Sequence, residues 1–442
     1  MPGLFAAVSG RGAAAAETGD RSILQALLDV EAALARAGAA AGVVPAAAAE
    51  QISAACVADR FDLDALGREA AGTGTVVVPL VRALTAVLPD PAAHYVHTGA
   101  TSQDVLDTAA MLVAHRALPP LLADLAAAAD RCAELAEEHR GTLLAGRTLL
   151  QQALPVTFGG KVAGWLVGLD EARGWLAEVA DRTLAVQLGG AAGTLASLGP
   201  AGPAVVAGLA RELGLAEPTV PWHTLRQRPA MLAGALGTAA GVVGKIAGDL
   251  VLLAATEVGE VREAAGGGSS TLPHKHNPVA AVAALSCTER VPGLVATMLA
   301  AMRQEHERAA GSWQAEWETL PQLLRLVGSA AGWLRDALTG LQVDAARMRA
   351  NLERTGGLLM SEAAATALAR TLGPRAAHHV LTEAARGARA HGRALREVLL
   401  ADPEVRRHLT PADLDAVLDP AGYLGATAQQ IDRALRAHEE AR

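Results

Sequence analysis

Between residues 266 and 279 the chain reads GGGSSTLPHKHNPV, which gathers two hydroxyl-rich serines, two imidazoles, an ammonium and a carboxamide into one short stretch. Three consecutive glycines would each cost about 1 kcal/mol inside a helix. Gly266–Gly268 therefore predict a hinge, and the polar residues after them a loop. Pro278 suits the first turn of a following helix, with Asn277 as its cap. Such a loop between long helices can close over a substrate, exclude water and complete a reacting site. A plain helix connector has no need of so many acid, base and anion-binding groups. His274 and His276 also invite a metal, but they stand two apart rather than in an HExxH pattern, with no further ligand cluster nearby. No metal is expected.

Lysine usage adds weight to this loop. Of 38 basic residues only Lys161, Lys245 and Lys275 are lysine. The bias is compositional, yet its exceptions matter because ammonium and guanidinium differ in size and geometry. A second polar stretch, HYVHTGATSQD at 94–104, ends with Thr101 and Asp104 spaced as a capping box. The free amides at the start of that helix can also hold an anion.

Rigid elements must hold these segments, and the periodicity is helical throughout. Ser22 and Gln25 are spaced as a capping pair, and Ile23, Leu24, Leu27, Leu28, Ala32 and Leu34 continue an apolar face. Another helical stretch covers about 50–88, broken by AGTGTVVVP. After Asp104 a long helix runs to about 140, with Pro119 and Pro120 as its one place to kink. GRTLLQQALPVTFGG, 146–160, reads as an irregular link to a helix starting near Lys161. Further helices are expected around 229–264, 278–304 and 313–348.

Hydrophobic residues make up 51% of the chain but aromatics only 2%, so alanine- and glycine-rich faces must bring helices together through close backbone approach. Helices this long need cover along their length, which an all-α extended bundle completed by other subunits provides. No repeating βα unit supports a TIM barrel or Rossmann fold, though short hairpins can sit in the loops. Cys56, Cys132 and Cys287 are odd in number and scattered, which excludes a disulfide scaffold or zinc knuckle and favours a reducing compartment. A net charge of -8 argues against nucleic acid as a partner. The first residues lack the pattern of a secretory signal, and charges interrupt the apolar runs, so no membrane span is expected. A soluble cytoplasmic protein is the expectation.

GSSTLPHKHNPV resembles the signature loop of the fumarase/aspartase superfamily, whose usual form is GSSxMPxKxNP. HTGATSQDVLDTA, GRTLLQQALPVTFG and LDPAGYLG resemble its adenylosuccinate-lyase-like branch. Within that branch PWHTLRQR (221–228), QEHERAAGSWQAEWETLP (304–321) and NLERTGGLLMSEAA (351–364) are most similar to the bacterial carboxymuconate cycloisomerases. The resemblance covers nearly the whole chain. It implies a three-domain all-α fold, with domains over 1–110, 111–350 and 351–442, whose long central bundle is completed by tetramerisation. Active sites would be shared between subunits of the homotetramer, the substrate a small polycarboxylate, and no cofactor is implied. The implied reaction converts 3-carboxy-cis,cis-muconate to 4-carboxymuconolactone in protocatechuate degradation. The competing expectation is a C–N or C–O lyase of the same superfamily that releases fumarate. A scaffold reused for packing alone is a third, which the intact serine, lysine and asparagine pattern opposes.

By this resemblance Ser269 is the proton-transfer residue, with Ser270 the adjacent alternative, and Lys275 and Asn277 bind and polarise a substrate carboxylate. His97, Thr101, Ser102 and Gln103 are implied carboxylate contacts, although Thr101 also has the role of helix cap and His97 that of an ordinary loop histidine. Arg147 and Gln151, with Thr148, occupy the next implied segment, and Arg308 is a further cation, with a helix-surface charge as its alternative. Trp313 and Trp317 share a helical face and read as packing. Three positions depart from the family forms. Leu149 stands where adenylosuccinate lyases carry a histidine acid and the cycloisomerases a tryptophan, His276 where arginine is usual, and Gln227 where RDR is commoner. Leu149 argues against a leaving group that must be protonated, and is compatible with lactonisation.

Overall fold

The computed structural model describes residues 4, 6–265, 267–268 and 271–442. Its main elements are α1 (Asp20–Ala40), α2 (Ser102–Glu138), β1 (Leu143–Thr148), β2 (Gln151–Thr157), α3 (Phe158–Thr183), α4 (Gly202–Leu213), α5 (Gln227–Leu253), β3 (Val261–Glu263), α6 (Val279–Thr288), α7 (Val291–Ala300), α8 (Glu316–Thr339), β4 (Leu341–Val343), α9 (Ala345–Glu353), α10 (Ser361–Leu372), α11 (Pro374–His391) and α12 (Thr427–Ala441). The chain divides into two compact units. The first comprises Met1–Ala126, Glu171–Ala247 and Ala281–Asp336; the second comprises Ala127–Asp170, Gly248–Ala280 and Ala337–Arg442.

In the first unit the apolar positions of α1 are buried as the periodicity requires, with Leu24, Leu27, Leu28 and Leu34 all inside. Each such leucine contributes about 2 kcal/mol relative to exposure. Small residues set the spacing: a Cβ on Gly208 of α4 would lie 2.9 Å from the Ala37 Cβ of α1, so those helices approach as near as their backbones allow. In the second unit Leu368, Leu381, Leu395, Leu399, Val405 and Leu414 form one apolar cluster. His438 on α12 is buried with its two ring nitrogens 2.8 Å from Asp170 Oδ2 and 3.0 Å from Asp130 Oδ1, a structural role for the C-terminal histidine.

Several element boundaries differ from expectation for identifiable reasons. α1 starts at Asp20 with Gly19 as its cap, while Ser22 Oγ donates to Ala16 O and Gln25 reaches across to residues 56 and 58. α2 runs unbroken through Pro119 and Pro120. The 146–160 segment is not irregular: β1 and β2 form an antiparallel hairpin, with Leu143 opposite Thr157 and Thr148 opposite Gln151. The stretch expected as helix to 264 stops at Leu253, and Val261–Glu263 instead pairs with Leu341–Val343. Asp344 then caps α9 by accepting the Arg347 N–H at 2.8 Å. The 278–304 stretch is two helices, with Pro292 in the first turn of the second.

The segments Gln227–Leu253 and Val279–Ala300 are, by length and composition, long and apolar enough to cross a membrane, contrary to the expectation from the charges along the apolar runs. In the first, 44% of the most apolar window is buried inside the protein, and its polar residue Asp249 accepts a hydrogen bond from the Trp165 indole at 2.9 Å. These are properties of a partly covered core helix as well.

Candidate active site

In the first unit one carboxylate gathers the site. Asp104 lies in the first turn of α2 and is 1% exposed. Its Oδ2 accepts the N–H groups of Thr101 and Gly190 at 2.9 Å each, and Oδ1 accepts that of Gly189 at 3.0 Å. His223 Nε2 lies 2.6 Å from Oδ1, a charge-assisted distance. Three separate segments, the start of α2, the 189–190 turn and the 221–226 stretch, therefore meet on a single side chain. Deeper still, Arg226 bonds to both Asp107 and Glu316, and the Trp313 indole donates to Asp107 at 3.0 Å. Burial raises the Glu316 pKa, opposed by the hydrogen bond and charge of Arg226 and assisted by the charge of Asp107. The two tryptophans meet edge to face at 4.9 Å, as packing residues, although Trp313 sits in the turn before α8.

This frame presents Arg308. Its Nη2 donates to Ala191 O at 2.8 Å and its Nη1 to Thr101 Oγ1 at 3.3 Å. Thr101 is thus only half of a capping box: Asp104 reaches back to its N–H, but its hydroxyl faces Arg308 rather than the helix amides. Ser102 is half-buried at the helix start, and its hydroxyl has no partner among the described residues. Gly99 has φ +78° and a Cβ there would fall 2.4 Å from the Leu198 side chain, so glycine is required beside the site. His97 adopts φ 60°, unusual for a residue with a Cβ. Its Nδ1 lies 2.7 Å from Oε1 of the fully buried Glu31. Burial works to lower the His97 pKa, but the hydrogen bond and charge of Glu31, joined by the charge of Asp104, raise it overall. Gln103 faces the other way: it is fully buried, and its amide donates to Asp107 and to the His223 carbonyl.

The second unit holds the remaining candidates. Arg147 makes a two-pronged pair with Glu260, at 2.7 and 3.0 Å, and Asn351 donates to the same buried carboxylate at 2.9 Å. Its guanidinium is thereby engaged in holding the hairpin. The hairpin turn is Leu149–Leu150, with φ 51° and 62°, the both-positive pattern that normally selects Asn-Gly. Leu149 is 96% exposed, and Gln151 beside it is exposed too. In the signature loop Gly267 and Asn277 exchange backbone hydrogen bonds in both directions, at 3.2 and 3.0 Å. α6 begins at Val279 rather than Pro278, and it is Glu263, not Asn277, whose carboxylate accepts the Ala280 N–H at 3.0 Å. Glu263 also accepts His276 Nε2 through its carbonyl at 2.8 Å. Lys275 is exposed, and its ammonium has no partner among the described residues. His274 and His276 line a cavity of about 570 Å³ with Arg262, Glu263 and Asp344. Ser269 and Ser270 lie outside the described residues. Among the described residues no group of three or more histidine, cysteine or acidic side chains is placed to hold a metal.

Five supporting residues, Glu31, Asp104, His223, Glu260 and Asn351, escaped the sequence reading as site components. Glu31 left a signal: it falls on the apolar face of α1, between Leu27 and Leu34, where a lone acid needs a partner.

A long-helix fold with a polar loop and a cation beside a helix start is an arrangement that suits a lyase-type enzyme, and the family comparison gives that class. The family described as lyase matches residues 7–293, and that described as adenylosuccinate lyase C-terminus matches residues 357–434. The chain belongs to the fumarase/aspartase superfamily. It is 51% identical over 422 residues to the 3-carboxy-cis,cis-muconate cycloisomerase of Bradyrhizobium diazoefficiens, covering 94% of each chain. It is also 48% identical over 438 residues to the nitrosuccinate lyase of Streptomyces davaonensis, covering 95% of this chain and 91% of that one. Among solved structures, the 3-carboxy-cis,cis-muconate lactonizing enzyme from Pseudomonas putida matches with a TM-score of 0.93 and 46% identity, over 99% of both chains.

Proposed function

We propose that this protein is a cycloisomerase that converts 3-carboxy-cis,cis-muconate to 4-carboxymuconolactone in protocatechuate degradation. The observation that carries the reading is 51% identity, across 94% of the chain, to a relative bearing that activity. One carboxylate of the substrate adds to a double bond of the same molecule and closes the lactone ring. The charge moves into the neighbouring carboxylate as an aci-carboxylate, and a proton then reaches the alpha carbon. Because the nucleophile is part of the substrate, folding it into reactive geometry replaces a bimolecular encounter. Stabilising the developing charge is the larger demand. Lys275 and Asn277 meet it at the reacting carboxylate, with Ser269, or Ser270 beside it, transferring the proton. His97, Thr101, Ser102 and Arg308 bind the other carboxylates. Gln103 supports them from the interior, while Arg147 fixes the hairpin that presents Gln151. No cofactor enters this chemistry.

The active unit in this reading is a cytoplasmic homotetramer, each site drawing groups from different subunits. Leu225, Met231, Leu252, Val282, Leu299 and Met302 are exposed apolar residues in and beside α5, α6 and α7, which neighbouring copies would cover. Sedimentation giving an active monomer would remove the shared-site arrangement. The reaction itself is tested by following freshly generated 3-carboxy-cis,cis-muconate by NMR and mass spectrometry, with Ser269→Ala as control. Loss of vinylic signals without change in mass supports it, and substrate that persists at the uncatalysed rate sinks it.

A second reading, C–N cleavage with release of fumarate, is favoured by the 48% identity to nitrosuccinate lyase. The apolar turn at Leu149 suits it equally, since nitrite leaves as a stable anion and needs no acid. Nitrite release from nitrosuccinate, with no lactone from carboxymuconate, would select this reading.

A further inference from the structure

Glu31 poses a question that the reaction alone does not answer. Its side chain is fully buried on α1, 66 residues before His97. One oxygen meets His97 Nδ1 at 2.7 Å, and the other has no hydrogen-bond partner among the described residues. Burying a carboxylate is costly unless a cation balances it, and among the described residues the His97 ring is the one group that pairs with this one. The histidine in turn holds a left-handed backbone at φ 60°, a conformation that costs about 1–2 kcal/mol in a residue with a Cβ. Its ring is partly exposed, and Nε2, on the edge away from Glu31, has no partner among the described residues. A buried acid, a strained backbone and one free ring nitrogen together describe a histidine held for a ligand.

We propose that Glu31 is a positioning residue, which holds His97 as an imidazolium whose Nε2–H donates to one carboxylate of the polycarboxylate substrate. The inference rests on the reading above that His97 belongs to the substrate site. The ring nitrogens are not equivalent: the bond at Nδ1 decides what Nε2 offers. With Glu31 accepting at Nδ1, Nε2 can only be the donor when the ring is charged. The charged groups facing His97 are Glu31 from α1 and Asp104 from α2. Asp104 is already satisfied by three backbone N–H groups and His223, so Glu31 is the group whose removal changes the ring most directly. Burial favours the neutral ring, and the acid opposes it. Taking away the acid's charge therefore moves the His97 titration to lower pH.

The test is Glu31→Gln, which keeps an acceptor for Nδ1–H but removes the charge. Protein labelled with carbon-13 at histidine Cε1, assigned through His97→Gln, gives the His97 midpoint directly. The midpoint should fall in the variant, and KM for carboxymuconate should rise with kcat less affected. The KM increase should also grow between pH 6 and pH 8 by the ratio of imidazolium fractions that the two midpoints dictate, tenfold for each unit of separation in the alkaline limit. In a His97→Gln background, Glu31→Gln should add no further change in KM. An unchanged midpoint, a pH-independent loss, or an undiminished effect in the His97→Gln background overturns the assignment. If the parent protein does not turn over carboxymuconate, that reading fails by itself. Calorimetry with tricarballylate then reads the same role: parent and variant affinities that are equal at pH 8 overturn it, and a parent affinity that exceeds the variant's and follows the His97 midpoint sustains it.

Discussion

Asp104→Asn is a sharp test of how the first unit is built. The carboxylate accepts four hydrogen bonds, from the backbones of Thr101, Gly189 and Gly190 and from His223. An asparagine has the same shape, but one end of it becomes an NH2 group that cannot accept. With its oxygen left towards Gly189 and His223, the N–H groups of Thr101 and Gly190 face another donor inside a site that is 1% exposed. Each buried hydrogen bond to a charged acceptor is worth about 1.5–3 kcal/mol, so the substitution should cost about 3–5 kcal/mol. The same turn carries the Ala191 carbonyl that anchors Arg308 at 2.8 Å. A shift of about 1 Å in a positioned group can lower catalysis about a hundredfold. Urea unfolding at fixed protein concentration, with kcat/KM measured well below the transition, reads both effects. A variant within about 1 kcal/mol of the parent and with kcat/KM within about threefold would refute the view that Asp104 organises this site.

Three other outcomes are expected. Arg147→Ala leaves the buried Glu260 with Asn351 as its remaining side-chain partner and should lower unfolding stability by about 3–5 kcal/mol; a pure KM effect with unchanged stability would instead make Arg147 a substrate cation. Replacing Leu149→Asn together with Leu150→Gly relieves two left-handed leucines and should raise stability by about 1–2 kcal/mol in urea titrations, while a loss of stability would mean that the exposed leucines are packed against something in the assembled protein. Burial pushes the Cys56 thiol up to about 12 and raises those of Cys132 and Cys287 as well. A raised pKa means little thiolate at pH 8, so Ellman's reagent should label the native protein only as it unfolds, and a fast equivalent of released thiolate would contradict this.

The long helices were legible because their apolar faces repeat over many turns, and α2 was even foreseen through its prolines. What escaped was local and depended on partners far away in sequence. The hairpin at 143–157 carries Leu-Leu where a turn of its kind normally announces itself with Asn-Gly, so the strongest short-range signal was missing. The cap of α6 comes from Glu263, 17 residues before the amide it accepts, on a strand that exists only through pairing with Leu341–Val343. Thr101 and Asp104 have capping-box spacing, yet the threonine hydroxyl meets Arg308, 207 residues on. Short motifs identify the chemistry well because they crowd polar groups together. They do not reveal which of those groups are held by the fold, as with Arg147 and Gln103, and which stand open, as with Lys275 and Gln151.

The paired hydrogen bonds between Gly267 and Asn277 have a practical consequence. They close the neck of the signature loop, and Glu263 fastens the helix that follows immediately below it. A change of length between the two neck residues is thus taken up at the neck rather than passed on to α6. Such a segment behaves as a cassette: its interior can lengthen, shorten or change chemistry while the scaffold keeps its register. Transplanting residues 268–276 from a lyase of different specificity into this neck is accordingly the economical way to move one activity onto another's frame.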